Sequence, residues 1–127
     1  MKKVIATGQA PAAIGPYSQA IKAGDFIYVS GQIPIVPATG EFAGSDIASQ
    51  TRQSLTNIQN ILAVEGLGMD SIVKTTVLLQ HISDFAAMNA VYAEFFAGDC
   101  PARAAFEVAA IPRGALVEIE AVAYCGK

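Results

Sequence analysis

The stretch Pro101–Tyr124, PARAAFEVAAIPRGALVEIEAVAY, decides how the chain reads. It places one arginine among small apolar residues, a turn at Pro112-Arg113-Gly114, and then a run with two glutamates at period 2. Side chains alternate along a strand. Glu118 and Glu120 therefore share a face with Leu116 and Val122, while Val117, Ile119, Ala121 and Ala123 take the other and read as core. Before the turn, Arg103, Ala105 and Glu107 fall on one face and Ala104, Phe106 and Val108 on the other. If the two runs pair as a hairpin, a guanidinium and a carboxylate meet over a floor of alanines. That arrangement suits a small carboxylic acid, and equally suits an ordinary cross-strand ion pair.

Working outward, Lys3–Ala6 reads as a short strand and Ala10–Pro16 as a small-residue loop. Tyr17–Lys22 and Phe26–Ser30 read as two strands about the turn Ala23-Gly24-Asp25. Ile33–Gly44, punctuated by proline and glycine, is a loop. Ser45 or Asp46 caps a helix over Ile47–Glu65, with a stripe of Ile47, Thr51, Leu55, Ile58, Ile61 and Leu62. Arg52, Gln53, Asn57, Gln59 and Asn60 cover its other face, and Gly66 stops it. Val73–Leu79 is β-branched and reads as a central strand. Ser83 or Asp84 caps a second helix, Phe85–Phe96, before the two final strands. The order is βββαβαββ: an α+β fold of about six strands with two helices on one face. The opposite face then needs a cover, and a neighbouring subunit supplies one.

Composition narrows the function classes. The 127 residues are 53% hydrophobic and only 15% charged, with mean hydropathy +0.42. No run reaches the ~18–20 apolar residues of a membrane span, so the surplus apolar surface points to a homo-oligomer. A net charge of −3, a pI near 4.9 and scattered cations argue against a nucleic-acid partner. The opening Met1-Lys2-Lys3 lacks the apolar segment of a signal peptide. Cys100 and Cys125 fit no metal spacing or disulfide framework, and His81 is the one histidine, so reduced thiols, a cytoplasmic protein and no metal site are expected.

Arg103 is the sharpest candidate, as a bidentate carboxylate anchor. Its ordinary reading is an ion pair with Glu107 or Glu118. A functional glutamate at Glu118 or Glu120 would hold and polarise a water, whereas a plain one is merely solvated. Tyr17 follows Gly15-Pro16, Ser30-Gly31 offers a hydroxyl beside an open backbone, and Asn89 lies beside the apolar stripe of the second helix. Each of these also has an ordinary packing or hydrogen-bonding role. No Ser/His/Asp order, phosphate loop or dinucleotide fingerprint is present.

Together the residues resemble the RidA/YjgF/UK114 family. The resemblance is carried by GPYSQA at Gly15–Ala20, SGQIP at Ser30–Pro34, QTRQSLTNIQNIL at Gln50–Leu62, VKTTV at Val73–Val77, the Phe85–Phe96 helix and PAR…EIEA at Pro101–Ala121. It runs in order from about Ile5 to Ala123, nearly without gaps. It implies a chorismate-mutase-like, YjgF-type α+β fold in a single domain over residues 1–127, forming a homotrimer with clefts between subunits. The implied activity is cofactor-free hydrolysis of reactive 2-imino and enamino acids (2-aminoacrylate, 2-iminopropanoate, 2-iminobutanoate) to 2-keto acids and ammonia.

Carried over by position, Arg103 matches the substrate-carboxylate arginine and Glu118 the water-activating glutamate. Tyr17, Ser30, Gly31 and Asn89 match other cleft positions. Ala105 stands where deaminase members commonly carry cysteine; a backbone contact to substrate survives that change and a thiol contact does not. The Ala97–Cys100 connection is a few residues shorter than usual. Both departures bear on substrate preference and rate more than on reaction class. Two rival readings use the same residues: a trimeric module that binds a keto or amino acid without catalysis, and a ribonuclease or translation inhibitor, against which the acidic pI weighs.

Overall fold

The computed structural model describes residues 1–126, and its elements follow the expected βββαβαββ order. They are β1 (Lys3–Ile5), β2 (Ala20–Ala23), β3 (Phe26–Gln32), α1 (Ile47–Ala63), β4 (Ile72–Leu79), α2 (Phe85–Ala93), β5 (Ala102–Glu107) and β6 (Val117–Tyr124). Short 3-10 turns at Met69–Ser71, Ile82–Asp84 and Pro112–Gly114 lead into β4, α2 and β6. The second strand starts at Ala20 rather than Tyr17. The chain is still turning at Tyr17, whose N–H donates to Gly15 O at 2.9 Å, with Gly15 at φ 118°.

Asp46 caps α1, its Oδ2 accepting from Ser49 N at 2.9 Å, which satisfies one of the orphan donors of the first turn. The helix closes at Ala63, with Gly66 in the left-handed region beyond it. At the end of α2, residues 94–96 tighten to i→i−3 hydrogen bonds, as in Phe95 N to Tyr92 O at 3.1 Å, so regular helix ends at Ala93 instead of Phe96.

The six strands form one mixed sheet in the order β1-β2-β3-β6-β4-β5. β4 and β5 run parallel, joined through α2 as a parallel crossover requires; all other pairs are antiparallel. The hairpin between the last two strands does not form, because β4 lies between them. Val117, Ile119, Ala121 and Ala123 are at most 3% exposed. They reach that burial because β6 takes the central slot between β3 and β4, where α1 covers its core face.

Leu55, Ile58, Ile61 and Leu62 of α1 and Met88 and Tyr92 of α2 pack onto that face. Asn57, expected on the polar side of α1, is fully buried. The 33–44 loop lies over it: Asn57 Nδ2 donates to Ile35 O at 3.0 Å, and Asn57 Oδ1 accepts from Gln53 Nε2 at 2.8 Å. The helix-free face of the sheet exposes Val4, Tyr28, Phe106 and Tyr124.

Candidate functional site

β6 positions Glu118. Its neighbours Val117 and Ile119 point into the core, so Glu118 is turned to the helix-free face. Beside it the β3–β6 ladder passes from Val29↔Ala121 to Gln32↔Ile119, which leaves Ser30 and Gly31 in a bulge. Bulges re-aim side chains and often stand beside active sites. Ser30 Oγ donates to Ser18 O at 2.6 Å and Ser30 N to Gln19 O at 3.0 Å, tying the bulge to the segment that carries Tyr17.

Gly31 leaves space for the Glu118 carboxyl. A Cβ on it would stand 2.9 Å from Glu118 Cδ, closer than such atoms approach, so a larger residue would push the carboxyl aside. Glu118 is half-buried. That burial, followed by the charge of Glu120, raises its pKa above the usual 4.5.

Tyr17, Ser30, Gly31 and Glu118 line one cleft of about 620 Å³, whose apolar walls include Ile14, Ile33 and Ile35. Gln19, which sequence reasoning passed over, shapes its rim. This buried amide accepts from Thr7 N at 2.7 Å and donates to Pro11 O at 2.7 Å, holding the loop that contributes Pro11 and Ile14. Arg113 also lines the cleft; sequence reasoning had seen it only as part of a turn.

Arg103 and Asn89 lie elsewhere. Arg103 is the register partner of Thr75, which is buried beneath α2, so Arg103 sits on the helix-bearing face. Three residues of α2 at i, i+4 and i+7 receive it, the spacing that stacks side chains on one helix face. The Arg103 guanidinium carbon lies 5.3 Å from the Phe85 ring centroid and 4.7 Å from that of Tyr92. Arg103 Nη1 donates to Asn89 Oδ1 at 2.6 Å. Tyr92 is itself fixed: its hydroxyl is 2.7 Å from Thr75 Oγ1 and its ring packs on Phe96. Burial raises the Tyr92 pKa, against the opposing effects of the Thr75 hydrogen bond and the Arg103 charge.

The ordinary ion pairs weighed for Arg103 are absent among the described residues; Glu107 Oε1 instead accepts from Ile82 N at 2.9 Å. Ala105 faces the same side as Arg103, in register with Val77 and half-buried against the core. The residues singled out from sequence thus form two groups on opposite faces of one sheet. Tyr17, Ser30, Gly31 and Glu118 are together in the cleft; Asn89, Arg103 and Ala105 are beside α2.

Among the described residues no cluster of three or more His, Cys, Asp or Glu is arranged to hold a metal ion. Cys100 and Cys125 are free thiols. No helix among these residues is long and apolar enough to cross a membrane.

Comparison with known proteins identifies the scaffold. A family model described as Endoribonuclease L-PSP matches residues 7–125. A RutC family protein of Pyrococcus horikoshii is 55% identical over 98% of each chain. A 2-iminobutanoate/2-iminopropanoate deaminase of Mus musculus is 47% identical, over 99% of this chain and 93% of its own. The crystal structure of E. coli TdcF with bound serine superposes with a TM-score of 0.94 at 41% identity, covering 98% of this chain and 99% of the other. With its strand order, its helices and nearly all its length matched, the chain belongs to the endoribonuclease L-PSP family, the YjgF/RidA family.

Proposed function

We propose that the protein hydrolyses reactive 2-imino and enamino acids, 2-iminopropanoate, its enamine tautomer 2-aminoacrylate and 2-iminobutanoate, to 2-keto acids and ammonia. Arg103 anchors the substrate carboxylate and Glu118 activates the water. The observation that carries this reading is the Glu118 carboxyl, half-buried, raised in pKa and set over the bare backbone of Gly31 in a cleft shared with Ser30 and Tyr17. The likeness to the mouse deaminase supports the reaction class, and the serine bound to TdcF supports a ligand of amino-acid size.

A protonated imine is already electrophilic, so the protein need only orient it and supply water. Glu118 takes a proton from that water as its oxygen bonds to the imine carbon. The tetrahedral carbinolamine then receives that proton on nitrogen, the C–N bond breaks as the carbonyl forms, and the hydroxyl proton passes by way of Glu118 to the departing ammonia, which leaves as ammonium. Ser30 and the backbone at Gly31 bound the space around the reacting carbon, and Tyr17 closes its outer side. Orientation by the guanidinium removes several kcal/mol of barrier in well-aligned sites. No cofactor has a step in this scheme.

Arg103 and Glu118 lie on opposite faces of one sheet, so a complete site draws on two copies. We assign Arg103, Asn89 and the Ala105 backbone to one copy, and Tyr17, Ser30, Gly31 and Glu118 to its neighbour, in a homotrimer of single-domain chains. The exposed Val4, Tyr28, Phe106 and Tyr124 support cover by further copies. The two free thiols suit a reducing cytoplasm, and the net charge of −3 favours a small acid over RNA as the substrate.

The test generates 2-iminobutanoate and 2-iminopropanoate in situ with an amino-acid oxidase and follows surviving imine with semicarbazide. Wild type should remove imine and Arg103→Ala should not. Imine that survives wild type, alongside tight 2-ketobutyrate binding, would move the protein to the binding-module reading.

A further inference from the structure

Arg113 is the one non-glycine residue among those described with positive φ, at φ 59° and ψ 18°. A long side chain in the left-handed region is uncommon and costs conformational energy. Such outliers persist where surrounding contacts hold them, and they gather at binding sites. Here Pro112 fixes the approach and Gly114, at φ 73°, turns the chain away, leaving Arg113 at the apex.

The guanidinium meets a second turn. The 33–44 loop folds back on itself through an Ile35↔Phe42 bridge and the Val36 N to Glu41 O bond at 2.8 Å. Asn57 fixes that loop to α1 through Ile35 O at 3.0 Å. Arg113 lies over the Phe42 ring, 5.7 Å from its centroid, and Nη2 donates to Gly40 O at 3.3 Å. Stacking on a ring and one carbonyl orients a guanidinium while leaving most of its N–H edge unused. No carboxylate lies within ion-pair distance of it among the described residues.

Among the described residues of one chain, Arg113 is also the only cation lining the Glu118 cleft, and Glu118 is the only carboxylate there. At about 620 Å³ in the single chain the cleft falls in the roughly 300–1,000 Å³ range that accommodates drug-sized ligands. Ile33 and Ile35 supply apolar wall, and Arg113 stands on the same lining.

We propose that Arg113, held by Phe42 and Gly40, is a second anion subsite of this cleft, and that the substrate class includes 2-imino acids whose side chain ends in a carboxylate. This rests on the imine-hydrolysis reading, with Arg103 taking the carboxylate beside the imine and Arg113 the distant one. A guanidinium edge accepts such a group bidentately.

The experiment measures calorimetric binding of 2-ketoglutarate and 2-ketobutyrate, the keto products of the two substrate types. It uses wild type, Arg113→Asn and Arg113→Lys; asparagine tolerates positive φ, so the turn survives while the charge is lost. Wild type should prefer 2-ketoglutarate. Arg113→Asn should reduce the preference about tenfold, and Arg113→Lys should retain part of it. The same ratio in Arg113→Asn and wild type, or no wild-type preference, overturns the subsite.

In parallel, imines made from glutamate and from 2-aminobutyrate are assayed for hydrolysis. If neither imine is consumed but the binding preference follows Arg113, the subsite stands and the catalytic reading fails. If the monocarboxylic imine is consumed and the ratio of the two rates ignores Arg113→Asn, the catalytic reading stands and the subsite fails.

Discussion

Asn89 Oδ1 accepts a hydrogen bond from Arg103 Nη1 at 2.6 Å, linking the middle of α2 to the edge strand β5. Arginine carries much rotamer freedom, and this bond selects among its orientations before any ligand arrives. Asn89→Ala should therefore lower kcat/KM for 2-iminobutanoate about five- to tenfold, the scale of one net hydrogen bond of ~1 kcal/mol. Asn89→Asp, which adds a competing charge, should weaken 2-ketobutyrate binding further. Equal kinetics in Asn89→Ala and wild type would detach Asn89 from the anchor.

Tyr92 offers its ring to Arg103 and its hydroxyl to Thr75. The two roles separate by substitution. Tyr92→Leu should cost about tenfold in kcat/KM through the lost cation–π contact, and Tyr92→Phe should restore most of it. Tyr92→Phe leaves the buried Thr75 hydroxyl without its partner, so thermal unfolding should register a loss of about 1 kcal/mol even as activity recovers.

Gly31→Ala puts a Cβ where the Glu118 carboxyl now rests. A catalytic group displaced by about 1 Å can lose on the order of 100-fold in rate. The loss should appear mainly in kcat, because the proposed carboxylate anchor, Arg103, is a different residue. A change confined to KM would contradict the placement of Glu118 as the base.

Glu118 gives opposite pH signatures in stability and in activity. Burial and Glu120 disfavour its ionised form, so its folded pKa lies above the unfolded value near 4.5. Between those values the folded state binds more protons, and stability falls as pH rises through the window. Its contribution is complete below 4.5 and is lost as pH passes the folded value. Glu118→Gln cannot ionise and should raise Tm by about 1–2 °C at neutral pH, a modest gain because the group is half-exposed. The gain should shrink as pH falls toward 4.5. Activity runs the other way: kcat of wild type should drop as acid protonates Glu118, and Glu118→Gln should lack that limb.

Asn57→Ala removes the fully buried amide that ties the 33–44 loop to α1. It leaves Ile35 O and Gln53 Nε2 without their partner and should cost about 2–3 kcal/mol. Hydrogen exchange should quicken first at the Val36 and Ala43 amides of that loop.

Much of this was legible in the sequence because periodicity reports on local burial. The alternation in Val117–Ala123 gave the core face of β6, and the stripe from Ile47 to Leu62 gave that of α1. Strand partnership is non-local and left no such trace: β5 and β6 are neighbours along the chain yet are separated by β4. The register through that strand, Arg103↔Thr75↔Ala121, puts the guanidinium on the core face, so it and the Glu118 carboxylate, expected over one alanine floor, stand on different faces. Asn57, expected on the polar face, is buried for a related reason, and the burial of Gln19 and Gln50 had no sequence signal either. A polar residue looks solvated until the loop that consumes its amide is in place, and Gln50 bonds both Gly44 O and Leu116 N. The seat of Arg113 on Phe42 joins two turns far apart in sequence, beyond the reach of any pattern in the chain.

The separation of Arg103 and Glu118 onto two faces has a genetic consequence. If each working cleft borrows one residue from either of two chains, inactive variants can rescue one another. Arg103→Ala and Glu118→Gln, each impaired alone, should regain activity on refolding together, with about a quarter of clefts intact after random mixing in a closed ring. Conversely, a chain carrying both changes damages two clefts wherever it is incorporated, so in a cell that also makes the normal chain its effect would be partly dominant.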